Sequence, residues 1–210
     1  MAPSTCRYAP YLTERSSAMR RSFLERPGPI RGYAARVTNV GTLTWKPVQE
    51  ASDLLASPVA KAVAIIPSAQ VAEIDPDLAD TAAFCPAYHV PAQQSANCVV
   101  VVGRRGGQAR YAAVMVLATM RADVNGVIRR ELDVRKCSFA PMEEAVALTG
   151  MEYGGITPIG LPSDWEILVD KAVVAAGEVV VGSGLRRSKM LLPATALLDL
   201  PSARRLSLAA

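Results

Sequence analysis

The stretch Thr149-Gly150-Met151-Glu152-Tyr153-Gly154-Gly155-Ile156-Thr157-Pro158-Ile159-Gly160-Leu161-Pro162 sets four glycines and two prolines among fourteen residues. Neither helix nor strand tolerates that density. Glycine opens positive φ and lets another group approach the main chain closely. Pro158 fixes its own φ and removes a donor. The segment therefore reads as an irregular loop able to present main-chain N–H groups to a carbonyl or an anion. The plainer reading is a tight connection between a helix and a strand.

Working outward, residues 141–148 read as a helix that Gly150 closes from the C′ position. Beyond the loop, residues 166–169, 178–182 and 189–192 read as strands, and residues 194–200 as a last helix. Upstream, Cys98-Val99-Val100-Val101-Val102 is a continuous β-branched run of the kind expected in a strand buried on both faces. Arg104-Arg105-Gly106-Gly107 signals a hairpin turn, with residues 109–119 returning. Asp123 or Asn125 is placed to cap a short helix over 127–132, and residues 136–139 form a further strand. Residues 40–95 read as mostly helical, with helices over 48–56 and 58–65 and a loop over 86–91. Asp75 or Asp77 is positioned to cap a turn into another helix. Strands and helices interleave without strict βαβ alternation, so the expected class is α+β, a single domain with a mixed or antiparallel sheet and surrounding helices.

The net charge of +4 is unevenly spread. Residues 1–40 carry seven arginines and two acids, so the rest of the chain is close to neutral. Residues 1–38, rich in Arg, Ser and Pro, are expected to be a disordered basic extension, with residues 40–206 as the folded domain. An organelle transit peptide and an over-long start with Met19 as first residue are the other readings of that extension. Residues 97–136 hold eight basic residues against three acids, a candidate phosphate-facing surface. No run of ~18–20 apolar residues suggests a membrane span, and no secretory signal is visible, so a cytoplasmic location is expected.

The chemistry available is narrow. Cys6, Cys85, Cys98 and Cys137 form no C-x-x-C pair, and His89 is the single histidine. No metal and no cofactor is expected, and a Ser-His-Asp or Cys-His arrangement has little to draw on.

The order of features resembles the YbaK-type prolyl-tRNA editing domains. A helix leads to Thr149-Gly150, then to a G-x-x-x-P loop at Gly154 to Pro158, then to the strand Val179-Val180-Val181 with its turn Gly182-Ser183-Gly184. The likeness spans about residues 95–202. It implies a mixed α/β domain around a pocket for the tRNA 3′ end, with tRNA as partner and prolyl-tRNA synthetase as a second one. The implied activity is hydrolysis of the ester of a mischarged aminoacyl-tRNA, carrying a small residue such as Ala or Cys on tRNA-Pro, by a free-standing trans-editing enzyme. An aminoacyl ester is already activated, so main-chain positioning of carbonyl and water, with the ribose 2′-OH assisting, suffices in that family.

By the same resemblance Gly154, Gly155, Ile156, Thr157 and Pro158 surround the ester. Asn97, Lys189, Gly182, Ser183, Gly184 and Arg187 are the candidate substrate-binding residues. The family carries a lysine at the start of its first central strand, and here that position is Asn97, which is uncharged. Lys189, at the start of a later strand, is the candidate replacement for the missing cation. Arg104, Arg105, Arg129, Arg130, Arg186 and Arg187 are candidates for acceptor-stem contacts. Tyr153 and Trp165 are candidates for stacking on the terminal adenine, with core packing the simpler role for Trp165. Val100, Met115 and Leu117 are candidates for the pocket that sizes the amino acid. The alternative is a non-catalytic tRNA- or nucleotide-binding module that has lost the family lysine. A hydrolase for another acyl ester is a third reading.

Overall fold

The computed structural model describes residues 40–209. The expected extension over residues 1–38 lies outside the described residues. Among the described residues, nine strands fall into two sheets. In chain order they are β1 (Lys46–Pro47), β2 (Gln70–Glu73), β3 (Ala96–Arg105), β4 (Gln108–Leu117), β5 (Cys137–Phe139), β6 (Glu166–Asp170), β7 (Glu178–Gly182), β8 (Ser188–Pro193) and β9 (Ala203–Leu206). The helices are α1 (Ser57–Ala62), α2 (Thr81–Ala87), α3 (Arg129–Glu131), α4 (Met142–Thr149) and α5 (Lys171–Ala175). One sheet has the order β1-β2-β8-β7 and is antiparallel throughout. The other has the order β5-β3-β4-β6-β9 and is mixed, because β6 joins β4, and β9 joins β6, in parallel. A single parallel bridge, Ser95 to Val180, links the two. The class is α+β, as expected, with the strands divided between two sheets.

Local chemistry accounts for the main elements. The valine run of β3 pairs along its whole length with β4, and both Gly106 (φ +58°) and Gly107 (φ +83°) adopt the left-handed conformation that a two-residue hairpin turn requires. Asp123 caps the turn before α3 by accepting from the Gly126 and Val127 amides at 2.8 and 3.0 Å. The carboxylate of Asp170, almost fully buried, caps α5 through the Ala172 amide and also accepts from Leu208 and Ala209, which fastens the chain end to β6. Main-chain donors from two segments thus satisfy one buried charge.

The largest core lies between the sheets and includes Val59, Val71, Met115, Ile159, Val179, Val181 and Met190. A second packs Val124, Ile128, Leu132 and Val134, which flank α3, against β3 and β4, and a third packs α2 around Phe84 against β7 and β8.

Several expectations are corrected. Residues 48–56 form no α-helix; Val48, Ala51, Leu54 and Leu55 are buried from a loop with one 3-10 turn over Ser52–Leu54. β2 was not expected, since four residues of sequence Gln-Val-Ala-Glu give almost no periodic signal and the strand exists because β8 pairs with it. Pro86 lies inside the last turn of α2 rather than in a loop. Residues 194–199 form 3-10 turns in place of a final α-helix, and β9 follows them.

Candidate active site

A cleft of about 460 Å³ opens where β3 and β7 part company. Its walls come from the start of β3, the end of β7, Lys189 of β8, the N-terminal end of α2, and the glycine loop between α4 and β6. Each segment is held there by an identifiable contact.

The loop is pinned against the β7–β8 turn. Gly155 C=O accepts from the Gly184 amide at 2.7 Å, and Glu152 N–H donates to Gly184 C=O at 2.8 Å. The contact is so close that a Cβ on Gly182 would sit 2.2 Å from Gly155 O, and one on Gly155 would sit 2.6 Å from the Leu185 main chain. These glycines are required because two backbones touch. Arg186 adds a clamp. Its guanidinium donates to Tyr153 C=O at 3.2 Å and to Pro76 C=O at 2.9 Å, and lies 3.9 Å from Asp80, while its amide donates to Glu152 at 2.6 Å. Arg186 thus ties together the loop, the turn and the approach to α2.

Lys189 enters the cleft from β8. The residue is 7% exposed, and its Nζ donates to Gly154 C=O at 3.3 Å and lies 5.4 Å from the centre of the Phe84 ring. Burial holds its ammonium well below the usual lysine range, to about 8. Asp80 opposes that shift and Arg186 adds to it. At neutral pH the group is a buried cation without a carboxylate in hydrogen-bonding contact among the described residues. Asn97 lines the same cleft from β3, with its Oδ1 accepting from the Thr81 hydroxyl at 2.5 Å. Cys98 is beside it, half-buried, with its thiol pushed up to about 12 by burial, so it is no nucleophile at neutral pH.

The sequence-derived candidates separate into two groups. Gly154, Ile156, Asn97, Gly182 and Lys189 line the cleft together. Gly155, Thr157, Pro158, Ser183 and Gly184 are buried behind its wall, and Arg187 is exposed outside it, donating to Asp53 C=O. Ser183 is engaged with Ser188, whose hydroxyl in turn donates to Leu54 C=O at 2.6 Å. Thr157 is fully buried, and its hydroxyl is the one buried side-chain polar atom without a partner among the described residues. Of the remaining arginines, Arg105 pairs with Asp133, and Arg129 donates to Asn125 C=O. Trp165 is buried and stacks on Tyr111 with centroids 5.0 Å apart, whereas Tyr153 is exposed and lines the cleft. Val100 also lines it, while Met115 and Leu117 belong to the core between the sheets.

Some lining residues gave no signal in the sequence. Asp80 and Thr81 reach the cleft because α2 lies across β7 and β8, and Phe139 stands at its mouth, 59% exposed, from the three-residue β5. An exposed phenylalanine in so short a strand is visible as unusual only once burial is known. His89 does not line the cleft, and no group of three His, Cys, Asp or Glu among the described residues is arranged to hold a metal ion. No helix among the described residues is long and apolar enough to cross a membrane.

This two-sheet fold with a loop-walled cleft is that of a known class. The sequence model of the aminoacyl-tRNA editing domain matches residues 75–200, more than half of the chain. The chain belongs to the aminoacyl-tRNA editing domain family. Solved structures agree on the fold. A proposed trans-editing enzyme for prolyl-tRNA synthetase superposes with a TM-score of 0.64 at 23% identity, covering 74% of this chain and 96% of that one. A protein from a study of epitope backbone grafting onto scaffolds gives 0.64 at 22%, covering 74% and 97%. A hypothetical protein gives 0.56 at 19%, covering 63% and 85%. The comparison with curated proteins gave no match.

Proposed function

We propose that the protein is a free-standing deacylase that hydrolyses the ester of mischarged aminoacyl-tRNA, with a small amino acid such as alanine or cysteine on tRNA-Pro as substrate. The observation that carries this reading is the buried ammonium of Lys189, held against Gly154 of the loop in the same cleft as Asn97. A family member whose first central strand lacks the lysine needs a cation from elsewhere, and β8 supplies one within that cleft.

The chemistry follows from the groups present. An ester carbonyl entering the cleft meets the main chain of Gly154 and Ile156 and the Lys189 ammonium. Attack by water builds negative charge on the carbonyl oxygen, and a desolvated cation beside it stabilises that charge far more than one in bulk water. The ribose 2′-OH of the substrate assists proton transfer, so no histidine base is needed. Ala79, Ala96, Ala140, Ala145 and Val100 line the cleft with small side chains, in keeping with a small aminoacyl group. Phe139 and Tyr153, both exposed at its mouth, offer ring faces to the terminal adenine.

The test is deacylation of Ala-tRNA-Pro, Cys-tRNA-Pro and Pro-tRNA-Pro by the purified protein and by Lys189→Met. Turnover of a mischarged tRNA that collapses in Lys189→Met supports the reading. Binding of uncharged tRNA with no turnover of any ester would make the protein a binding module instead, a reading that the uncharged Asn97 position favours.

A further inference from the structure

The cleft meets its two strands at their edges rather than at their faces. Successive side chains along a strand point to opposite faces. A pocket lying on one face of β3 would touch Ala96, Cys98 and Val100 and miss Asn97 and Val99, yet all five line it. The same holds for Val180, Val181 and Gly182 on β7. The cleft is therefore a gap between two strand edges, beginning just beyond the bridge from Ser95 to Val180.

The direction of the main-chain groups at that gap follows from the register. Ser95 C=O accepts from the Ala118 amide at 2.8 Å, so residue 95 faces the β4 side; Val100 C=O accepts from the Ala140 amide at 2.9 Å, so residue 100 faces the opposite side. Alternation puts Cys98 with Val100, towards the gap. On that side β5 pairs only with Val101, Val102 and Gly103, and the bridge to β7 ends at Ser95. Both main-chain groups of Cys98 and the N–H of Val100 thus stand at the cleft with no strand to pair them. Asn97, Cys98 and Val99 are only half-buried there, although β3 is an interior strand of its sheet.

We propose that this open edge of β3 is the subsite that grips the amino acid of the substrate. The proposal rests on the deacylase reading above and adds to it the part of the site that recognises any α-aminoacyl group. The α-ammonium donates to Cys98 C=O and the ester carbonyl oxygen accepts from Cys98 N–H, the two-bond pattern of a hydrogen-bonded antiparallel pair. The carbonyl oxygen's second lone pair is left for the loop and Lys189, and the Val100 N–H for an oxygen of the ribose. The amino acid then lies as a one-residue strand between β3 and β7, with its side chain free to be sized by the walls. This explains how a cleft whose nearest carboxylate, Asp80, is engaged with Arg186 can hold an ammonium group.

The experiment uses the full chain with a non-hydrolysable alanyl-amide analogue of 3′-aminoadenosine, its N-acetylated form, and residue-resolved amide hydrogen exchange. The expected result is slowing of exchange at Cys98 and Val100 by at least about tenfold on binding the alanyl analogue, with at least about tenfold weaker binding of the N-acetyl form. Cys98→Pro, which removes a donor facing away from the β4 ladder, should weaken analogue binding similarly while the Val99 and Val101 amides stay protected. If the analogue perturbs Gly154 and Lys189 but leaves exchange at Cys98 and Val100 unchanged, the edge is no subsite, and the deacylase reading survives. If the analogue does not bind and no mischarged tRNA is turned over, both fall. Protection of these amides by an extended peptide but not by the analogue would make the edge a strand-docking site and overturn the proposal.

Discussion

Lys189 is a costly residue to bury, and its environment gives that cost a direction. The folded protein holds its ammonium down to about 8, mainly through burial, against 10.5 for a free lysine. Between those values the unfolded chain binds more protons than the folded one, so stability rises with pH from about 8 towards 10.5. Lys189→Met is expected to abolish that rise and, at pH 7, to stabilise the fold by roughly 1–3 kcal/mol in chemical denaturation. The same substitution should lower kcat/KM for deacylation about 100-fold. In the native protein, activity should fall as pH rises through about 8 and the cation is lost. Because Asn97 faces the same cleft, Asn97→Lys is expected to restore much of the activity in the Lys189→Met background. No recovery in that double variant, with the fold intact, would separate the two positions.

At the scale of elements, the glycine loop and the β7–β8 turn are one unit built on main-chain contact. Gly182→Ala places a methyl 2.2 Å from Gly155 O, where no side-chain rotation relieves it. A loss of about 2–4 kcal/mol in thermal or urea unfolding is expected, with activity falling in parallel as the wall shifts. Thr157 sits just behind this wall with an unpartnered buried hydroxyl. Thr157→Val keeps its shape and removes the desolvated group, so it should stabilise the protein by about 1 kcal/mol. Deacylation by that variant decides whether the hydroxyl is needed for turnover. The loop, the hairpin and the helix closed by Gly150 were legible in the sequence because each rests on local backbone chemistry. β2 and β9 were not, since four-residue strands with weak patterns are created by the neighbour that pairs with them.

For the whole molecule, the mouth of the cleft carries exposed aromatic and basic residues. Phe139 and Tyr153 stand exposed at the mouth, and β5 runs from Cys137, beside the basic Lys136, to Phe139. Gly103 pairs with Cys137, which sets Arg104 close to Lys136 at the other end of β5. Alanine at both Phe139 and Tyr153 is expected to raise KM for aminoacyl-tRNA about 5–50-fold, leaving hydrolysis of a minimal aminoacyl ester without a base nearly unchanged. Equal losses on both substrates would place the rings in the architecture of the cleft instead of in adenine stacking.

The α+β class, the paired strands β3 and β4, and the irregular loop at Gly154 to Pro158 are all written in the order of residues along the chain. Each depends on residues adjacent in the chain, where φ preferences, capping and β-branching act directly. Long-range packing divides the strands into two sheets parting beyond Ser95, brings Lys189 and Asn97 to one cleft, and puts Thr157, Ser183 and Gly184 behind its wall. Those outcomes depend on which strand edges pair and which stay open. That is settled by contacts between segments such as β3 and β7, about eighty residues apart, and no local pattern encodes it.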